Sequence, residues 1–343
     1  MQNDRFSLAV VIPNRNDSKY LPRCIDSVLQ QEVQPDELII VDDESTDDSI
    51  EVIEREIAGH SFATLYRNAK NVGATENANI GLGYASARCV YFLGANDFVL
   101  PGMFTAMKTC FERWPQSGIW SAMIWLVDEQ DRFLRIHPSP VISCRDSYVP
   151  PDGVRELVRR HGNWLTGQTT TYRREALVAV GGFRPELRAM TDLFAAHVVA
   201  SRHGACFTPR PLAVMRLHQG SFLTSTLQDE KGFDAILARI RREGPLIEPP
   251  LFTDALLSAT ERRLKFSSYR SVAGSDRAAL CARLQGSPSG ALRLIGRIAK
   301  LLPRAVTAAL LFLVLRPFDL WPMLWYRFGG KAWVILNERT RRT

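Results

Sequence analysis

Short continuous apolar runs alternate, along the first hundred residues, with stretches whose apolar positions recur every three or four residues. Residues 6–13 form such a run, rich in β-branched side chains, and predict a strand buried on both faces. Leu21, Cys24, Ile25, Val28 and Leu29 then share one helical face, with Asp17 or Ser18 as the expected cap. A second strand at 38–41 ends in Asp42-Asp43. Ser45-x-x-Asp48 has capping-box spacing for a helix that turns Ile50, Ile53 and Ile57 inward. Strands are expected again at 63–66 and 89–93, with a helix between them. The alternation predicts an α/β fold: a mostly parallel sheet flanked by helices. Ligands of such sheets lie off the carboxyl ends of the strands. The polar clusters fall there: Asn14-Arg15-Asn16, Asp42-Asp43, Asn71-Val-Gly73 and Asn96-Asp97.

Farther along, the pattern predicts a helix at 104–114 and a strand at 118–127. That strand runs into Asp128-Glu-Gln-Asp-Arg132, a hairpin turn. A polar loop at 137–152 and a short helix at 154–161 follow, and Met190-Thr-Asp192 opens an apolar helical stretch. Residues 228–285 read as a helical extension without a signal for chemistry. Gln285-Gly-Ser-Pro-Ser-Gly290 has the composition of a linker. Beyond it Arg293, Arg297, Lys300 and Arg304 alternate with Leu292, Leu294, Ile295, Ile298, Leu301 and Leu302, an interfacial amphipathic pattern. Residues 305–315 are apolar but too few to span a bilayer. Trp321, Trp325, Tyr326 and Trp333 suit the headgroup level. The expected organisation is an α/β domain at 1–227, the extension at 228–285 and a membrane-associating tail at 286–343.

Charge sharpens this picture. The net charge is +7, and from residue 286 onward ten Arg or Lys face only Asp319 and Glu338. The rest is close to neutral, which favours a membrane surface over nucleic acid as the basic segment's partner. Six cysteines are scattered with no C-x-x-C pair, so zinc knuckles and dithiol redox sites are not supported. Reduced cysteines and an N-terminus without signal-peptide character predict a protein on the cytoplasmic side of the membrane.

Neither G-x-G-x-x-G nor G-x-x-x-x-G-K-[ST] occurs, so a glycine loop does not cradle phosphate here. A divalent cation held by Asp or Asn oxygens would serve instead. Four motifs occur in order: Val11-Ile-Pro-Asn-Arg-Asn16, Ile40-Val-Asp-Asp-Glu-Ser-Thr-Asp-Asp-Ser49, Asn71-x-Gly73 with Asn79-x-Gly81, and Phe92-Leu-Gly-Ala-Asn-Asp-Phe-Val-Leu-Pro-Gly102. Together they resemble the family 2 glycosyltransferases of the GT-A fold, over residues 7–225.

The resemblance implies that Pro13, Asn14 and Arg15 line the base and ribose. Asp43, with Asp42 beside it, would contact the nucleobase, most often uracil, and Asn71 to Gly73 would form the loop beside the nucleotide. Asn96-Asp97 stands at the family's Asp-x-Asp metal motif, but Gly94-Ala-Asn-Asp97 keeps one charged ligand, so metal dependence stays open. Glu44 replaces a frequent glycine. Asp192 matches the acid that acts as general base in an inverting transfer; a helix N-terminal acid favoured by the dipole is the plainer alternative. His218, in Arg216-x-His218, could approach the metal or diphosphate.

The resulting expectation is a sugar transfer from a nucleoside diphosphate sugar, with Mn²⁺ or Mg²⁺, to a glycan or polyprenyl-linked acceptor. A homo-oligomer is compatible with it. Three rivals remain: a non-catalytic sugar-nucleotide binder, a Rossmann-type methyltransferase or dehydrogenase, and a membrane scaffold.

Overall fold

The computed structural model describes residues 5–137, 139–161, 163–217, 229–244 and 276–316, with isolated positions between 257 and 272. His218 and the aromatic residues 321–333 lie outside them. The chain divides into two compact units, Met1–His218 and Gln219–Thr343.

The first unit is built on one sheet. Its strands are β1 (Leu8–Asn14), β2 (Glu37–Asp42), β3 (Ala63–Arg67), β4 (Cys89–Phe92), β5 (Phe98–Val99), β6 (Ile119–Val127), β7 (Phe133–Ile136), β8 (Ser147–Val149), β9 (Thr171–Arg173) and β10 (Ala205–Arg216). The helices are α1 (Leu21–Leu29), α2 (Ser49–Glu56), α3 (Ala74–Tyr84), α4 (Met103–Arg113), α5 (Pro151–His161), α6 (Arg174–Ala179) and α7 (Thr191–His203).

The sheet order is β3-β2-β1-β4-β9-β6-β10-β5, with β7 on β6 and β8 on β10. β1 pairs in parallel with β2 and β4, β2 with β3, and β6 with β10. The expected mostly parallel sheet is corrected to a mixed one, because β9 enters antiparallel between β4 and β6. Two antiparallel steps restore direction. β1, β2, β4, β6 and β10 therefore all end on the same edge, and β9 begins there.

Burial explains the central strands. Leu8, Val10 and Ile12 are fully buried with Leu21, Cys24, Ile25 and Val28 of α1, as the periodicity requires. α3 covers β1 closely because Gly81 carries no side chain: a Cβ there would run into Val11. Two helix starts differ from expectation. α1 begins at Leu21 with Pro22 in its first turn, after a turn closed on the Asp17 carbonyl. Ser45 does not cap α2; its hydroxyl donates to Asp42 instead, at 2.5 Å.

In the second unit the helices described in full are α8 (Glu230–Glu243), α9 (Arg277–Gln285), α10 (Gly290–Ile298) and α11 (Arg304–Leu315). The presumed linker at 285–290 is a tight turn between packed helices. Ser289 caps α10, and Gly296 sits against Leu284. Leu292 and Ile295 of α10 join Leu280, Leu284, Leu311 and Leu315 in one apolar cluster. Leu294, Leu301 and Leu313 stay exposed. No helix among the described residues is long and apolar enough to cross a membrane.

Candidate active site

The strand ends are stitched together by side chains. Asn14, buried at the end of β1, donates to Asp42 Oδ1 at 2.7 Å, and the Ser45 amide donates to Asp42 Oδ2 at 3.0 Å. Asn16 accepts from the Thr46 amide at 2.7 Å. Asp42 is thus occupied in tying the β1 and β2 loops to each other. Pro13 is half-buried and Arg15 exposed.

Asp43 reaches the next loop. Its carboxylate accepts from Asn68 Nδ2 at 3.0 Å and from the Val72 and Gly73 amides at 2.8 and 2.9 Å. Gly73 has φ +89, which an L-residue adopts only under strain, so the loop needs glycine there. Asn71 accepts from that same Gly73 amide, and its own amide donates to Glu44 Oε2 at 3.0 Å. Asp43 therefore shapes the Asn71–Gly73 loop.

At the end of β4, the Asp97 amide folds back onto the Gly94 carbonyl at 2.9 Å. Asp97 Oδ1 accepts from the Arg216 amide at 2.8 Å. Asp97 Oδ2 and Asn96 Oδ1 both face Gly94, 3.4 and 3.2 Å from where a Cβ would stand. Two hard oxygens thus converge over a surface kept free by glycine. That pair fits a divalent cation whose other ligands are diphosphate oxygens and water. Among the described residues no three His, Cys, Asp or Glu gather to hold a metal alone. Burial raises the Asp97 carboxyl to about 7, against the opposing pull of the Arg216 amide and charge.

Arg216 was legible only as part of an Arg-x-His motif. Its side chain is 3% exposed and bridges several segments. Nη1 donates to the Asn96 carbonyl, Nε and Nη2 donate to Asp131 Oδ1 at 3.0 and 2.5 Å, and the guanidinium lies 4.4 Å from the Tyr20 ring centre. Asp131 Oδ2 accepts from Arg23, whose guanidinium stacks 3.9 Å over Phe98. Nothing in the acid-rich turn run 128–132 distinguishes Asp131 from its neighbours.

Asp192 stands second in α7, half-buried. Its Oδ1 accepts from the Leu193 amide at 2.7 Å. Oδ2 lies against Gly167, where a Cβ would collide with it. Desolvation raises its pKa above the ordinary carboxylate value, partly offset by backbone donors. Gly167 precedes β9, so Asp192 belongs to the same sheet edge as the β1, β2 and β4 loops. The two halves of the unit are also joined directly. Asn79 of α3 bonds both the amide and the carbonyl of Phe183, at 2.9 and 2.8 Å. This pair links the Asn79-x-Gly81 motif to the Gly181-Gly182-Phe183 turn.

An edge of this kind defines an α/β protein with a ligand site past the carboxyl ends of its strands, and comparison with known proteins narrows the class. Residues 9–177 match the family model for glycosyl transferase family 2, and the chain belongs to that family through this domain. An uncharacterised protein of Mycobacterium tuberculosis is 28% identical over 260 residues, covering 74% of this chain and 79% of its own. Glycosyltransferase GlyG of Streptococcus pneumoniae is 29% identical over 158 residues; the match covers 46% of this chain and about half, 51%, of GlyG.

Solved structures share the fold. TarS of S. aureus, in complex with UDP-GlcNAc, has a TM-score of 0.57 at 14% identity, covering 91% of this chain and 92% of its own. A mannosyltransferase of Pyrobaculum calidifontis, in complex with GDP-Man and Mn²⁺, has 0.55 at 18% identity, covering 97% and 88%. The fold is therefore GT-A-like, and the family match makes the protein a glycosyltransferase.

Proposed function

We propose that the protein transfers a sugar, with inversion, from a nucleoside diphosphate sugar, preferentially a UDP-sugar, to a hydroxyl of a glycan or polyprenyl-linked acceptor. The observation that carries this reading is the shared sheet edge, with two oxygens converging at Asn96 and Asp97 and a half-buried carboxylate at Asp192. The nucleotide complexes of the two structural neighbours support the donor class.

Asp192 would take the proton of the acceptor hydroxyl as that oxygen attacks the anomeric carbon and the bond to the diphosphate breaks. Desolvation makes it a stronger base than an exposed carboxylate, and the Leu193 amide fixes its orientation. Asn96 and Asp97 would hold Mn²⁺ or Mg²⁺, which would stabilise the charge of the leaving diphosphate. His218 is a further candidate for that ion. Pro13, Asn14, Arg15 and the Asn71–Gly73 loop would border the nucleoside. Asp43, with the carboxylate capacity its three donors leave, would accept from the base.

The second unit would bring the enzyme to the cytoplasmic face of a membrane. Exposed Leu294, Leu301 and Leu313 beside Arg297, Lys300 and Arg304 support that location.

A thermal-shift screen of UDP, GDP and dTDP, with and without Mn²⁺, tests the reading. UDP should stabilise the protein more with Mn²⁺, and Asp97→Ala should remove the increment. Asp192→Asn should keep UDP binding and lower transfer by about a hundred- to ten-thousand-fold. Binding without turnover in the wild type would instead identify a non-catalytic binder.

A further inference from the structure

We infer that Gly167, at the start of the turn that precedes β9, is a positioning residue: its bare Cα leaves the space in which the Asp192 carboxylate is seated. The inference rests on the proposed role of Asp192 as the base.

The glycine is there for room and not for backbone freedom. Gly167 does not have the positive φ that favours glycine, so its backbone would accept alanine. Among the described residues, a methyl group at this position would meet one side chain besides its chain neighbours. It would run into Asp192 Oδ2, with Cγ 3.6 Å away. The other carboxylate oxygen is already held, since Oδ1 accepts from the Leu193 amide at 2.7 Å. A donor thus sets one oxygen of the acid, and the surface of the turn sets the other.

The turn is the fixed partner in this contact. The Gln168 carbonyl accepts from the buried Tyr91 hydroxyl of β4 at 2.7 Å. Thr169 Oγ1 accepts from the Ala122 amide of β6 at 2.9 Å, and the Thr166 amide donates to Ser121 Oγ of β6 at 3.1 Å. Gly167 is therefore pinned on both sides. Tyr172 of β9 donates its hydroxyl to the Asp192 carbonyl at 3.3 Å, which ties the same segment to the start of α7. The Asp192 side chain, by contrast, turns about its own bonds. A methyl group at 167 would push the carboxylate off its seat and out of the burial that raises its pKa, while the fold stays intact.

The test uses Gly167→Ala in the full chain, with Gly83→Ala as control, because a Cβ at Gly83 meets nothing within 4 Å. Calorimetry reads UDP affinity, and thermal unfolding reads stability. UDP release from UDP-GlcNAc, UDP-glucose and UDP-galactose reads turnover. Gly167→Ala should bind UDP as the wild type does and lose about a hundred-fold in kcat at unchanged donor KM, the scale of a reacting group misplaced by about 1 Å. Protein labelled with ¹³C at aspartate Cγ gives a second readout, the Asp192 signal being the one absent from Asp192→Ala. Its titration midpoint should fall toward the ordinary carboxylate value in Gly167→Ala and stay in place in Gly83→Ala. Adding Gly167→Ala to Asp192→Ala should lower neither turnover nor melting temperature further, because the methyl group then meets no carboxylate. An unmoved midpoint in Gly167→Ala overturns the inference, whether or not these donors are turned over. So does a further loss in the double variant, which also decides the matter if Gly167→Ala alone does not fold. Asp192→Ala with wild-type turnover overturns instead the base role itself, an outcome separate from where the carboxylate sits.

Discussion

Single residues show how much a motif letter leaves undetermined. Asp42 and Asp43 are adjacent acids past one strand, yet they serve different loops. Asp42 binds Asn14 and Ser45, while Asp43 binds Asn68 and the Val72–Gly73 amides. Glu44 occupies a left-handed backbone, φ +58, which gives the physical reason that glycine suits this position. Its hydrogen bond from the Asn71 amide offsets part of the strain. Asp97 carries a pH consequence. Its carboxyl titrates near 3.8 when solvated and at about 7 in the folded chain. The native state therefore binds more protons than the unfolded state between those values, and stability falls as pH rises through that window. Asp97→Asn, neutral throughout, should raise the melting temperature of the ligand-free protein at pH 8, with an advantage that shrinks as pH falls from about 7 and is gone only below the solvated value of 3.8. A constant difference across the range would show that the carboxyl is not held protonated by burial.

At the level of elements, α3 does more than cover the sheet. Its Gly81 allows close approach to β1, and its Asn79 grips the backbone of Phe183 from across the unit. Phe183 is buried and packs edge-on against Phe92 at the end of β4, with centroids 4.8 Å apart. Asn79→Ala would leave a buried amide and carbonyl without partners. A stability loss of about 2 kcal/mol is expected, read from the urea midpoint with an unchanged m value. The capping-box reading of Ser45 failed for a related reason. Local spacing favoured a helix cap, but α2 starts only at Ser49, and the Ser45 oxygen accepts from the Asn16 amide and Asn14 Nδ2 while its proton goes to Asp42. β9 is another case. Three residues carry no reliable period, so its antiparallel entry between β4 and β6 was not legible in the pattern.

For the molecule as a whole, the second unit sets the remaining prediction. α10, α11 and the turn between them divide their apolar residues: Leu292, Ile295, Leu311 and Leu315 pack inward, and Leu294, Leu301 and Leu313 face outward. Residues 290–316 hold five cations, Arg293, Arg297, Lys300, Arg304 and Arg316, and no acid. The full chain should cosediment with vesicles containing phosphatidylglycerol and not with neutral ones, at about 1 kcal/mol per cation near the surface. Raising the salt or introducing Leu301→Glu should weaken that binding; equal affinity for neutral vesicles would refute the charge argument. The sequence alone determined the strand and helix alternation, the family and the polar clusters at strand ends, because buried runs and helical periods are local properties of the chain. Only the tertiary structure decided which edge groups face outward and which bind one another. That choice depends on donors arriving from far away: Arg216 reaches Asp97 across 119 positions, and Arg23 reaches Asp131 across 108. No local pattern records such pairings, since they follow from strands distant in the chain ending together on one edge of a mixed sheet.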